Sequence, residues 1–190
     1  MHMTDTMADN MLYTAITAVQ QGNEGFHQVL DQLPAAIYVT NAEGVITYYN
    51  RACIAFAGRT PLAGQDSWCV TWKLYTEDGR FLPHDQCPMA VAIRERRAIR
   101  GVEAVAERPD GTRRSFLPYP TPLLDGDGNL VGAVNMLIDM TDRKQAQSRR
   151  AQAAKCRRLA TAISDQQTMN TLNSMAAEYE EQALKLEWSN

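Results

Sequence analysis

The sequence predicts an α+β domain: a five-stranded antiparallel sheet with helices on one face, an N-terminal helix before it and a C-terminal helical hairpin or coiled coil after it. Three observations predict it. Apolar residues recur with period two in "AAIYVT", in "GVITYYN" and through much of the run from Ile99 to Met140, the spacing that lines one face of a strand. The turns "NAEG", "PDG" and "DGDG" are short enough to join neighbouring strands antiparallel. Beyond Thr141 such turns cease and long stretches of helix-forming residues follow.

Taken in order, residues 5–22 form a weakly amphipathic helix, with Met7, Met11, Ile16 and Val19 near helical spacing and Gly22 to close it. A short helix over about residues 24–33 stops before Pro34. "AAIYVT" and "GVITYYN" make a hairpin with Gly44 where positive φ is required. The stretch "RACIAFAGRTPLAGQDSWCVTWKLY" lacks alternation and is broken by Gly58, Pro61 and Gly64, which predicts several short helices. "TEDGRFLPH" reads as a loop, after which Asp85 caps a helix through "CPMAVAIRERR" with Pro88 in its first turn. "IRGVEAVAER", "TRRSFLPYPTPLL" and "NLVGAVNMLIDM" make a three-stranded meander. Helices inserted after the second strand cover one face of the sheet and leave the other for a flanking helix or a partner.

The tail divides into "DRKQAQSRRAQAAKCRRLATAI" and "SDQQTMNTLNSMAAEYEEQALKLEW", with Ser164 and Gln167 at capping-box spacing. Met169, Leu172, Ala176, Tyr179, Ala183 and Leu186 form an apolar stripe of alternating three- and four-residue steps, a packing face for a neighbouring helix or a second subunit. The first tail helix is basic and the end of the second acidic, so antiparallel fold-back, within a chain or between two, brings opposite charges together. The domain organisation expected is 1–25 as an N-terminal extension, 26–144 as the sheet domain and 145–190 as a two-helix tail broken near 163–165.

Composition narrows the function. The chain has 190 residues, 45% of them hydrophobic, and a formal net charge of -3, within the range of one globular domain with extensions. The N-terminus lacks a signal-peptide pattern and no apolar run reaches the roughly 18 residues of a membrane span, which predicts a cytoplasmic protein with no membrane contact. The basic tail helix lacks interleaved aromatics, so nucleic acid is not expected as a partner. Cys53, Cys69, Cys87 and Cys156 show no paired spacing, and free thiols are expected. "DGDGNLVG" is a hairpin turn: Leu130 stands where a calcium loop requires Gly, and Met136 where it requires Glu.

The segment from Gln28 to Lys144 resembles a PAS domain, the sensory module common in bacterial signalling proteins. "LPAAIYVTNAEGVITYYNRA" is similar to the first PAS hairpin, and "DMTDRK" resembles the Asp-Ile-Thr-(Glu/Asp)-Arg-Lys end of many PAS cores. "WCVTWKLYTEDGRFLPHDQCPMAVAI" is similar to PAS domains attached to sensor histidine kinases of two-component systems. The resemblance implies a PAS fold and a signal exit at Asp139, Thr141 and Asp142, with Thr141 or Asp142 capping the outgoing helix. Between sheet and helices there is room for a small-molecule cavity, whose candidates by sequence pattern are Tyr48, Asn50, Phe56, Trp68, Trp72, His84, Met89, Ile93, Phe116, Asn135 and Met136. The reactive-cysteine flavin motif of some PAS relatives is missing, and Cys53 in "NRACIAF" stands elsewhere.

The expected function is a non-catalytic sensor or adaptor that dimerises and relays a conformational change to its C-terminal helices, with a kinase or response regulator as partner. Met169, Leu172, Tyr179 and Leu186 are the expected tail-packing residues. Two alternatives stand beside it: a ligand-free protein-interaction module, and a haem or metal sensor using His84 and Cys87, since imidazole and thiolate are both good ligands. A Cys-His nucleophile lacks an orienting third group, so no enzyme is expected. The cofactor is open between none, haem and a small organic ligand.

Overall fold

The computed structural model describes residues 2–21 and 25–188. The chain folds as two units, Met1–Asp139 and Met140–Asn190. In the first, α1 (His2–Gln21) and α2 (Phe26–Gln32) lead to β1 (Ala36–Asn41) and β2 (Ile46–Tyr49). The expected closure at Gly22 and the helix start at Glu24 lie outside the described residues. The β1–β2 turn is closed by Asn41, whose Oδ1 accepts from Val45 N at 2.8 Å and whose carbonyl accepts from Gly44 N at 3.1 Å. Gly44 has φ +84, and a Cβ there would collide with the Trp68 ring.

A single helix follows, α3 (Arg51–Ala57), where several were expected. Its cap is Asn50 and its C-terminal stop is Gly58 at φ 65. The chain from Gly58 to Trp72 makes turns instead, because its backbone groups are satisfied along the open edge of β2. Ile46 N donates to Asp66 O at 2.9 Å, Gly64 N to Ile46 O at 2.8 Å and Trp68 N to Gly44 O at 2.7 Å.

The sheet has eight strands rather than five. The three extra arise in two places. "TWKLYTEDGRFL", expected as the end of a helical stretch and a loop, is a hairpin of β3 (Lys73–Thr76) and β4 (Phe81–Leu82), turned by Gly79 at φ +85. The Asp-Gly pair in that stretch is itself a hairpin signal. "TRRSFLPYPTPLL" is not one strand but two, β6 (Arg113–Pro118) and β7 (Thr121–Leu124), parted at Tyr119 and Pro120, where proline has no N–H for a ladder. With β5 (Ala104–Glu107) and β8 (Leu130–Asp139), the order is β2-β1-β8-β6-β5-β3-β4, and β7 also pairs with β8.

The helix before β5, α4 (Pro88–Glu95), has Pro88 at its start, as expected, but its cap is Cys87, with no side-chain bond. Asp85 lies instead in a 3-10 turn, His84–Gln86. The residue before proline is driven out of the helical region, so the helix cannot begin earlier: Cys87 has ψ 163.

β1 and β8 are central and buried on both faces. Ala36, Tyr38, Ala133 and Leu137 face one core, shared with Phe56 of α3, Met89 and Ile93 of α4, and Phe116 of β6. Ile37, Val39, Val134 and Met136 face a second core, covered by Ala8, Leu12, Ala15 and Ala18 of α1 and Leu30 of α2. The N-terminal helix thus occupies the sheet face that the sequence left open. Gly132 lets β8 approach β1 closely, since a Cβ there would meet the Thr40 carbonyl.

In the second unit, α5 (Thr141–Thr161) and α6 (Gln166–Trp188) pack as an antiparallel hairpin. Ala153 and Cys156 meet Ala176, with Tyr179 packed against them. Arg150 pairs with Glu187 at 2.8 Å, and Arg157 with both carboxylate oxygens of Glu180: seven residues onward on α5 match seven backward on α6. The cap of α6 is Asp165, not Ser164: its Oδ2 accepts from Thr168 N at 2.8 Å and Thr168 Oγ1 at 2.6 Å. A carboxylate accepts both bonds better than a hydroxyl does, and Thr168 stands at the third helical position from Asp165.

Asn50 is fully buried and uses its whole amide. Oδ1 accepts from Ile37 N at 2.9 Å and Cys53 N at 3.3 Å, while Nδ2 donates to the Leu30 and Ala35 carbonyls, both at 2.9 Å. Asn50→Ala removes the bonds to the Ile37 amide of β1 and the Ala35 carbonyl and one of the two bonds to the Leu30 carbonyl, and is expected to cost about 2–4 kcal/mol. Urea denaturation of the two proteins measures it.

Candidate functional site

Two buried polar side chains on the interior face of the sheet form a network. Tyr38 of β1 and Asn135 of β8 are register partners. Asn135 Nδ2 donates to Tyr38 Oη at 3.0 Å, and Tyr38 Oη donates to the Trp68 carbonyl at 2.8 Å. Asn135 Oδ1 accepts from Tyr119 N at 3.0 Å, at the joint between β6 and β7. Both side chains are buried, so each bond is made without competition from water. One network therefore ties β1, β8, the segment after α3 and the bend between two strands.

Trp68 is the conformational exception. Its φ is 69, and it is the centre of a three-residue turn in which Cys69 N donates to Ser67 O at 2.8 Å. A bulky aromatic residue at positive φ stores strain. The ring lies over Gly44, which offers no Cβ to obstruct it. Its carbonyl accepts from Tyr38, and the Cys87 thiol points at the same oxygen from 3.9 Å.

β8, which carries Asn135, ends at Asp139, and α5 starts at Thr141, so one residue separates strand from helix. The cap of α5 is that residue, Met140, at φ -112 and ψ 8, and it makes no side-chain cap bond. Neither Thr141 nor Asp142 is the cap; they are the first two helical residues, and Asp142 places a carboxylate where the helix dipole is positive. Thr141 is buried and Asp139 is bonded to Arg114 Nη1 at 3.3 Å.

A family model described as the PAS fold matches residues 30–145, more than half the chain. The chain belongs to the PAS family. No curated protein matches it. Among solved structures, it is similar to the LOV domain of a blue-light activated histidine kinase from Erythrobacter litoralis, at 20% identity and TM-score 0.45, covering 58% of this chain and 99% of that one. The PAS domain of Bordetella pertussis BvgS is 19% identical at TM-score 0.42, over 66% of this chain and 90% of that one. A Rhodobacter sphaeroides LOV protein is 11% identical at TM-score 0.44, over 96% and 99%.

Within this PAS domain, the residues expected around a cavity divide. Phe56, Met89, Ile93 and Phe116 do come together on the interior face, where Phe56 and Phe116 meet edge to face at 5.3 Å, with Trp68 at their margin. Met136 faces the second core, because adjacent residues of a strand point to opposite faces and Asn135 already points inward. Tyr48 is on that second side too, stacked on His27 at 4.4 Å, and burial pushes its phenol up to about 12. Trp72 is 44% exposed, with the Lys73 ammonium 4.0 Å above its ring. Asn50 is spent on holding α3 to β1. Tyr38 was not expected; it was legible as an inward-facing polar residue of "AIYVT", but nothing in the sequence showed that Trp68 would turn its carbonyl toward it.

His84 and Cys87 have different surroundings. His84 borders the Arg59–Asp66 pair, which is closed at 2.6 Å, and its Nε2 is buried with no hydrogen-bond partner among the described residues. Burial, and then the Arg59 charge, lowers its pKa. Cys87 turns inward to Trp68; burial, and then neighbouring Cys69, pushes its thiol up to about 12. The Tyr38 phenol is raised for the same reasons, burial first and then Cys69 and Cys87. Among the described residues, no three His, Cys, Asp or Glu side chains are grouped so as to hold a metal ion. A nearby arginine and a protonated thiol are poor preparation for a cationic centre.

Two outcomes are expected. The folded-state pKa of His84 lies below the ordinary value near 6.5 of the unfolded imidazole, so the unfolded state binds more protons as the pH falls through that range and stability falls with acidification. Urea denaturation at about pH 7.5 and about pH 5.5 should show a smaller loss for His84→Gln than for the parent protein. Cys53, Cys69 and Cys87 are buried thiols and should resist a disulfide reagent until urea unfolds the domain.

Proposed function

We propose that this PAS protein is a non-catalytic sensor or adaptor of bacterial two-component signalling, which dimerises and passes a conformational bias from its sheet into its C-terminal helices. The observation that carries the reading is the route of β8: one strand bears Asn135 in the interior network and ends a single residue before α5. A strand displacement of the network has no loop in which to dissipate. On this reading residues 1–25 are an N-terminal extension, 26–144 the sensing domain and 145–190 the output. Asp139, Thr141 and Asp142 form the exit, and a kinase or response regulator in the cytoplasm is the partner.

A small organic ligand acts by its differential affinity for two packings of the interior. The hydroxyl of Tyr38 and the amide of Asn135 are the polar groups it would engage, and Phe56, Met89, Ile93 and Phe116 the apolar ones. A second reading, a ligand-free interaction module, is favoured by one observation: those same apolar side chains are packed against one another. Among the described residues no helix is long and apolar enough to cross a membrane.

Native mass spectrometry of the purified chain separates the two. The sensor reading expects a dimer carrying the added mass of a small organic molecule, reduced in Tyr38→Phe. A dimer at the sequence mass alone assigns the input to a protein partner.

A further inference from the structure

The two flanks of the α5–α6 hairpin are chemically unlike. One flank holds the cross-helix ion pairs, Arg150 with Glu187 and Arg157 with Glu180. The opposite flank consists of the residues that precede Ala146, Ala153, Ala160, Met169, Ala176 and Ala183 at seven-residue steps. These are Gln145, Gln152 and Leu159 on α5 and Thr168, Met175 and Gln182 on α6, with no charge among them. Leu159 is 47% exposed and Met175 39%. They lie near the turn of the hairpin, beside half-buried Ile163, Met169 and Leu172.

The seam inside the hairpin is thin. Apart from Thr141 at the start of α5, the buried residues of the two helices are alanines and one cysteine: Ala146, Ala153, Cys156 and Ala160 on α5, Ala176 and Ala183 on α6, with half-buried Tyr179 packed against them. Side chains this small remove little apolar area from water. A four-helix bundle adds a third position per heptad to its core, and here the uncharged flank supplies it.

Arg149 borders the flank on its seam side, donating to Gln152 at 3.5 Å, and Lys185, one turn from Gln182, is paired with Glu181. On the outer side stand Lys155 of α5 and Glu178 of α6, one turn from Leu159 and Met175 respectively. Neither has an ion-pair partner among the described residues. A second copy of the same hairpin supplies the complement. A two-fold axis that sets α5 beside the α6 of the other copy brings each Lys155 to the other's Glu178, and the uncharged residues between them meet their own kind.

We propose that two copies of the chain associate through this flank, hairpin against hairpin, to form a four-helix bundle with Leu159 and Met175 at its centre and reciprocal Lys155–Glu178 pairs at its edge. The proposal rests on the dimeric reading above and names its contact. It places dimer and output in one element: a rotation of α5 about its axis changes which flank faces the second copy.

Size-exclusion chromatography with light scattering on the full chain tests it. The parent protein should be a dimer. The exposed double substitution Leu159→Arg with Met175→Arg buries four cations in the contact and should raise the dimer dissociation constant roughly a hundredfold, with helix content unchanged by circular dichroism. Lys155→Glu and Glu178→Lys should each weaken the dimer alone, yet a mixture of the two chains should form the mixed dimer in excess over either homodimer by native mass spectrometry. A parent monomer overturns both this contact and the dimeric reading. A dimer that survives the arginine pair, or a merely statistical mixture of the charge variants, overturns the contact and leaves the dimeric reading standing.

Discussion

The hydrogen bond between Asn135 and Tyr38 is the constraint on which the rest of the sensing domain depends. The two residues face each other across the central strand pair and point inward together, so the side-chain bond adds to a ladder already formed by the backbone. From Tyr38 the network continues to the Trp68 carbonyl, and from Asn135 to the Tyr119 amide. A buried polar group left unpaired costs about 1–3 kcal/mol, so this network has few ways to be satisfied and favours one arrangement of four segments. Around it, apolar packing is tolerant; here geometry is not.

Trp68 shows how such a network can hold two states. A bulky residue at positive φ costs on the order of 1–3 kcal/mol, a strain offset by the bonds its carbonyl and amide receive from Tyr38 and to Gly44. An occupant that takes over the Tyr38 hydroxyl removes part of that compensation. The strain and the bonds that oppose it are of similar size, the condition for a shift by modest differential affinity. β8 is the element that would carry the shift, because it contributes Asn135 at one point and ends at Asp139, next to the start of α5.

Much of this was legible in the sequence, for identifiable reasons. The run "LVGAVNMLID", apolar up to its last residue except at Asn135, is what a strand buried on both faces requires, and Gly44 and Gly58 mark turns that only positive φ permits. The apolar stripe of the last helix matches the covered residues of α6 in register. Misplacements have equally local causes. A β3–β4 hairpin with only two residues in its second strand is too short for alternation to reveal. Pro118, Pro120 and Pro122 hid a break within what looked like one strand, although β6 and β7 both lie along β8. The cap of α6 moved by one residue because Asp165 outcompetes Ser164 for the Thr168 amide. The cavity residues were the least legible, since parity along a strand excludes Met136 once Asn135 is inward, and a tryptophan such as Trp72 can as well cover a lysine stem at the surface as fill a core.

The central claim is that disturbance of the interior network reaches the outgoing helix through β8. Hydrogen–deuterium exchange on the full chain, comparing the parent protein with Tyr38→Phe, tests it most directly. That substitution removes one hydroxyl and no ring volume, and circular dichroism checks that the fold is retained. The account predicts faster exchange at Trp68 and Cys69, along β8, and in the first two turns of α5. Faster exchange confined to the Trp68 segment, with the start of α5 unchanged, would contradict it.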